Sequence, residues 1–180
     1  MSDVLKTLLD LLDLEVLEED LFRGHGPNSD RPRVFGGHVI GQALVAASRT
    51  VENRRPHSLH AYFMRPGDPS VPIIYDVDLM RDGRSFATRN VVARQHGRPI
   101  YQMAVSFMTV EEHFDHQAKM PDVPAPEDLP PEQERRAALA NLLPEGDRVR
   151  FLSERSIEIR PIDAPDPPKH APREPVRRYW

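Results

Sequence analysis

A chain of 180 residues with a formal net charge of −4 has room for one sizeable hydrophobic core and part of another, and its lack of cysteine excludes disulfides, thiolate metal sites and a cysteine nucleophile. Acidic and basic residues are interspersed, so neither nucleic acid nor a membrane surface is the expected partner, and a neutral or small molecule is. No apolar run reaches the roughly 20 residues of a membrane span and the N-terminus lacks the basic-then-apolar order of a signal peptide, which together predict a soluble, cytoplasmic protein.

Leu5, Leu8, Leu9 and Leu12 stand at helical spacing with Ser2 or Asp3 available as cap, predicting a short amphipathic helix that acts as a lid or brace. Leu21 to Gly24 is expected as a strand, and Gly26-Pro27-Asn28-Ser29-Asp30 as a loop. The stretch from Val34 to Ser48 opens on a glycine pair and continues with helix formers that are apolar nearly all round, the pattern of a buried helix ending near Val51. Val39, Ala43 and Ala47 share one face, Ile40 and Leu44 a neighbouring one, and Ala46 and Ser48 keep the remainder slim.

His57 to Arg65 reads as a strand with Leu59, Ala61 and Phe63 on one face and Tyr62 and Met64 on the other, covered on both sides over part of its length and turned by Pro66-Gly67-Asp68-Pro69. Val71 to Leu79 is rich in β-branched and aromatic residues, and Arg81-Asp82-Gly83-Arg84 holds the Asp-Gly pair of a tight hairpin. The return strand runs from Ser85 to Gln95, His96-Gly97-Arg98-Pro99 turns it, and Tyr101, Met103, Val105 and Phe107 alternate along a last long strand. One buried helix and a meander of long strands predict an α+β fold in which an antiparallel sheet curls around the helix.

Beyond Pro121, prolines at 124, 126, 130 and 131 cannot sustain a sheet ladder and mark a linker. The expected organisation is an N-terminal domain over 1–117, a proline-rich linker over 118–147 with a helix from Gln133 to Leu143 closed by Pro144, and the start of a second domain over 148–180. In that last part Ile157 and Ile159 alternate with Glu158 and Arg160 as a strand, a second proline-rich passage runs from Pro161 to Pro175, and Val176 to Trp180 looks like a strand without a sheet, implying a truncated domain.

Three motifs stand in order: Val-Phe-Gly-Gly-x-Val-x-Gly-Gln-Ala-Leu from Val34 to Leu44, His-Ser-x-His-x-Tyr-Phe-x-Arg-Pro-Gly-Asp from His57 to Asp68, and Pro-Ile-Ile-Tyr-Asp-Val with Arg-Asp-Gly-x-Ser-Phe from Pro72 to Phe86. With Phe114-Asp115-His116-Gln117, Met120-Pro121 and Ile159-Arg160-Pro161, they resemble the type II acyl-CoA thioesterases, a family that includes peroxisomal acyl-CoA thioesterases. The resemblance covers nearly the whole chain. It implies the N-terminal half of a double hot-dog fold, fatty acyl-CoA as substrate, hydrolysis to free fatty acid and coenzyme A, and no metal or covalent cofactor. It also implies that the water-activating Asp, Thr and Gln of the family lie in the second hot-dog domain past Trp180, so no catalytic residue is assigned in this chain and the chain alone is expected to be inactive. Asp68, Asp76, Asp78 and Asp82 have turn or strand-edge roles that need no chemistry. The competing hypotheses are a non-catalytic module that binds or packs against acyl chains, and a shortened chain with no independent role. A sheet meant to pair with a second hot-dog leaves an edge and apolar surface unpaired, which predicts a homo-oligomer.

The candidates for oxyanion or substrate binding sit at the helix entrance. A thioester carbonyl gains negative charge as water attacks, and unpaired amides at a helix N-terminus stabilise that charge; Gly36, Gly37 and the His38 amide are placed to do so. The structural alternative is that two glycines fit a cramped loop. His38 stands where the family more often has Gln, and either side chain donates a hydrogen bond. Gln42, one turn beyond, is polar on an apolar element and needs a partner if buried, whether substrate or nearby backbone. His57 and His60, three apart on a strand, are expected on opposite faces, which argues against a shared metal ion and leaves each as a single general base or a packing residue. His113 and His116 are expected to be exposed. Arg65, Arg81, Arg84 and Arg89 are expected to be solvated flanks of turns, with no phosphate site assigned. Neither a Gly-x-Ser-x-Gly elbow nor a Walker or dinucleotide-binding fingerprint occurs.

Overall fold

Period-two alternation builds the core of the larger unit in the computed structural model, which describes residues 2–26, 32–112, 114–163 and 175–180. The chain divides into two compact units, Thr7–Phe114 and Met1–Lys6 with Asp115–Trp180. In chain order the elements are α1 (Asp3–Leu12), β1 (Glu15–Glu18), β2 (Leu21–Gly24), α2 (Gly36–Ser48), β3 (Arg55–Phe63), β4 (Ile73–Asp82), β5 (Phe86–Gln95), β6 (Arg98–Met108), a 3-10 turn (Pro126–Asp128), α3 (Glu132–Ala140) and α4 (Glu145–Leu152).

The six strands form one antiparallel sheet in the order β1-β2-β4-β5-β6-β3, with α2 against its inner face. Tyr75 and Val77 of β4, Val91 and Ala93 of β5, and Tyr101, Met103, Val105 and Phe107 of β6 are all buried there. Alanines on both sides, Ala43, Ala46 and Ala47 on the helix and Ala87 and Ala93 on the sheet, let the two backbones approach closely. The α+β arrangement of a sheet wrapped on one helix is therefore the observed one, with β4, β5 and β6 as its meander.

Several details differ from the sequence-based expectation. The helix ends at Ser48 rather than near Val51, because the Thr50 amide and hydroxyl both donate to Ala47 O (3.1 and 2.8 Å) and close the chain into a turn. Its buried face is Val39, Gln42, Ala43, Ala46 and Ala47, while Ile40, Leu44 and Val45 are only partly covered, so Ala46 lies in the core and not on the slim side. Strand β3 is not covered on both sides. It is the sheet edge next to β6, and Leu59, Tyr62 and Phe63 are exposed. The Asp82-Gly83 hairpin exists, but Asp82 is still paired in β4 and residues 83–85 form the loop, closed by Gly83 N donating to Phe86 O (2.8 Å). The two-residue turn is at His96 (φ 50°) and Gly97 (φ 71°), whose left-handed pair gives the primed geometry that matches strand twist between Gln95 and Arg98. Strand β1 was absent from the expected elements.

In the second unit, α4 begins directly after Pro144, which occupies the helix cap position where a missing N–H costs nothing. Ile157 and Ile159 form no strand: the Ile159 amide donates to Glu132 Oε2 (3.3 Å), and a single antiparallel bridge joins Pro161 to Tyr179. The expected strand at Val176 to Trp180 is limited to that bridge. The Pro27 to Asp30 part of the first loop, His113, and positions 164–174 of the second proline-rich passage lie outside the described residues.

Candidate functional site

Helix α2 starts without a side-chain cap. Phe35 stands at the cap position in extended backbone, and its carbonyl accepts the amides of His38 (3.0 Å) and Val39 (3.4 Å). The His38 amide is thus already engaged, which removes it from the oxyanion candidates. The amides of Gly36 and Gly37 have no partner among the described residues, and the positive end of a 13-residue helix stands behind them. Two aromatic rings flank these glycines. A Cβ on Gly36 would lie 2.9 Å from Phe63 Cζ, and one on Gly37 would lie 2.5 Å from Phe35 Cε1.

Beside Gly36 opens a cleft of about 370 Å³, the size of a small-molecule site. Its floor is Ile100 and Tyr101 of β6, and one wall is Val34, Gly36 and Val39. The other wall runs from Phe63 to Gly67. That segment is fixed because the amides of Met64 and Arg65 donate to Ile100 O (2.9 and 3.1 Å), while Gly67 O accepts Val34 N (2.9 Å). Gln95, missed in the sequence, holds the loop from below: its amide nitrogen donates to Asp68 O and Val71 O, and its oxygen accepts Asp68 N, all at 2.7–2.8 Å. The alternation of Ala87, Val91 and Ala93 on β5 was the signal that Gln95 faces inward.

Gln42 is fully buried and engaged on three sides. Its Nε2 donates to Leu11 O (2.5 Å) and His25 O (3.2 Å), and its Oε1 accepts the Tyr75 hydroxyl (2.8 Å). Its side chain presents no atom to solvent, so the partner it requires is backbone and tyrosine. His38 is half-buried, with Nε2 3.2 Å from the same His25 O, and burial is the main cause that lowers its pKa below the usual histidine value.

Residues 25–108, which take in α2 and strands β3 to β6, match the acyl-CoA thioesterase N-terminal domain. The chain is 44% identical over 161 residues to acyl-CoA thioesterase 2 of Haemophilus influenzae, a match covering 89% of this chain and 56% of that protein. The chain belongs to the type II acyl-CoA thioesterase family. Among solved structures it is similar to an acyl-CoA thioesterase II from Mycobacterium marinum (TM-score 0.66, 39% identity, 91% of this chain and 56% of that one). It also shares its fold with a hot-dog protein from Alicyclobacillus acidocaldarius (TM-score 0.66, 21% identity, 87% and 55%). The fold is the hot-dog, and the chain spans about half the length of the curated relatives it matches.

A bulge between Pro56 and Ser58 sets two residues of β3 opposite Ser106, so His57 Nε2 reaches Ser106 Oγ (2.9 Å) on the outer face of the sheet. His60 pairs with Ala104 on that same face and contacts Tyr62, so the expectation that the two histidines point to opposite faces is incorrect. Neither faces the α2 cleft, and among the described residues no group of three metal-ligating side chains includes them. Arg89 is not a solvated flank but is 1% exposed. It donates to Thr50 Oγ1 and O, to Arg81 O and Thr88 O, and to Asp82 Oδ1 (2.7–3.0 Å), clamping the end of α2 to the β4–β5 hairpin. His116 is exposed as expected.

Proposed function

We propose that this chain supplies the first hot-dog domain of an enzyme that hydrolyses fatty acyl-CoA to a free fatty acid and coenzyme A. The observation that carries this reading is the 44% identity, across 89% of the chain, to a protein named as an acyl-CoA thioesterase. In the reaction water attacks the carbonyl carbon, the new C–O bond forms, the C–S bond breaks, and the thiolate leaves and takes up a proton. The unpaired Gly36 and Gly37 amides support a role in holding the carbonyl oxygen as it gains charge. The base that takes the proton from water is assigned to no residue of this chain. Gln42 and His38 act in this proposal as braces that fix the helix, and His57 and His60 take no part at the helix entrance.

The sheet edge at β3, with Leu59, Tyr62 and Phe63 exposed along it, supports association through that strand, with another hot-dog domain or a second copy. No helix among the described residues is long and apolar enough to cross a membrane. The cytoplasmic location is part of the proposal and rests on the cysteine-free composition and the bacterial relative.

A chimera tests the reading. This chain replaces the matching region of the Haemophilus influenzae thioesterase, and thiol release from decanoyl-CoA is followed. Turnover of about 1 per second or more is expected, within the ordinary range of enzymes. A folded chimera without turnover overturns the proposal.

A further inference from the structure

Among the described residues, the cleft at the mouth of α2 is lined by a tyrosine, two arginines and apolar side chains. Tyr101 points from β6 toward the helix side of the sheet, its side chain is fully buried, and its hydroxyl has no hydrogen-bond partner among the described residues. A buried hydroxyl left unpaired is costly, and burial pushes its pKa up to about 12, so at neutral pH it remains a donor. Gly36 lines the same cleft and adds a backbone amide at the positive end of α2. Arg65 lines the cleft at an exposed position, its Nη1 donating to Pro99 O (2.7 Å), and Arg33 lines it as well. Among the described residues no carboxylate lines the cleft. The remaining walls are apolar, from Val34, Val39, Phe63 and Ile100.

Donors, positive charge and apolar walls in one cleft fit a molecule that carries anionic oxygens on an apolar chain. We propose that this cleft binds the carboxylate of a free fatty acid, with the Tyr101 hydroxyl and the Gly36 amide as donors and Arg65 as counter-charge. The inference rests on the thioesterase reading only in that a fatty acid is the product of that reaction. A free phosphate or the phosphates of coenzyme A would satisfy the donors equally but leave the apolar walls in water. Phe63 packs its ring 5.0 Å from that of Tyr101 and is 56% exposed on the edge strand, so it is free to turn aside as a ligand enters.

The test is calorimetric titration of the 180-residue chain with sodium decanoate, decanol, inorganic phosphate and coenzyme A. Decanoate is expected to bind at least tenfold more tightly than decanol, and phosphate and coenzyme A to bind no tighter than about 1 mM. Tyr101→Phe keeps the ring and is expected to weaken decanoate about tenfold, the scale of a hydrogen bond to a charged group, with decanol unaffected and the thermal midpoint unchanged or raised. Arg65→Gln, at an exposed position, is expected to weaken decanoate severalfold and decides the matter should Tyr101→Phe not fold. Equal affinity for decanoate and decanol, binding of coenzyme A or phosphate in place of decanoate, no decanoate binding up to about 1 mM, or a folded Tyr101→Phe with unchanged affinity each overturns the proposal. Binding needs no turnover, so an inactive chimera would refute the thioesterase reading and leave this result standing.

Discussion

The Tyr75 hydroxyl donates to Gln42 Oε1 at 2.8 Å in the centre of the domain, and this bond ties β4 to α2. The same amide reaches Leu11 O and His25 O, so one side chain fastens the helix to the sheet and to the chain before it. Gly24 makes the space: a Cβ there would stand 2.3 Å from Gln42 Oε1. Tyr75→Phe is expected to destabilise the fold by about 1–2 kcal/mol, the cost of leaving one buried acceptor unpaired. Gln42→Leu orphans the Leu11 carbonyl and the Tyr75 hydroxyl together, leaves His25 O to His38 alone, and is expected to cost about 3 kcal/mol. Urea unfolding of the two single variants and the double variant measures this. The double variant should cost much less than the sum of the singles, since both break one network; strict additivity would count against the coupling.

His38 gives the fold a pH dependence of known sign. Burial holds its pKa below the ordinary value of 6.5, so the unfolded chain takes up a proton first as pH falls. Stability contributed by neutral His38 is therefore fully present above pH 6.5 and is lost as pH falls below 6.5 toward the depressed folded value. His38→Gln keeps a donor for His25 O and removes the titration. Its thermal midpoint should fall less than that of the parent between about pH 7 and pH 5. Parallel curves for the two proteins would assign the loss to other groups.

The strands of the meander and the central helix were legible because their apolar residues repeat at the period of the element that buries them, as with Tyr101, Met103, Val105 and Phe107. Arg89 carried a readable signal too. It shares its face with Ala87, Val91 and Ala93, so alternation alone sends it inward, and only the habit of treating arginine as solvated hid this. Other features depend on what lies far off in sequence. That β3 is an edge follows from the sheet order and not from its own residues, and the bulge that turns His57 outward arises from pairing with β6. At the candidate site, the glycine pair was visible, but the engaged His38 amide and the unpaired Tyr101 hydroxyl belong to the packed structure.

Among the described residues no strand pairs with the outer side of β3, beside exposed Leu59, Tyr62 and Phe63. The chain is expected to self-associate, with dimers or larger species in sedimentation at micromolar concentration. Tyr62→Lys places a charge on that edge and should shift the population to monomer without changing the thermal midpoint measured in dilute solution. A parent chain that sediments as monomer throughout would refute association through this edge.

Gly37 separates packing from chemistry at the helix entrance. It has no positive φ, so alanine there carries no left-handed strain, and alanine is the better helix former. The added Cβ would stand 2.5 Å from Phe35 Cε1, but that ring is 64% exposed and can swing aside. Gly37→Ala in the chimera is therefore expected to change stability by no more than about 1 kcal/mol. If the Gly36 and Gly37 amides hold the thioester oxygen, the methyl and the displaced ring crowd the position the carbonyl must reach, and kcat should drop by as much as about 100-fold, the scale of one lost oxyanion donor. Thermal midpoint and kcat are to be measured on the same preparation. A folded variant with unchanged kcat returns the glycine pair to a packing role, because no loss of structure would then be available to mask a catalytic one.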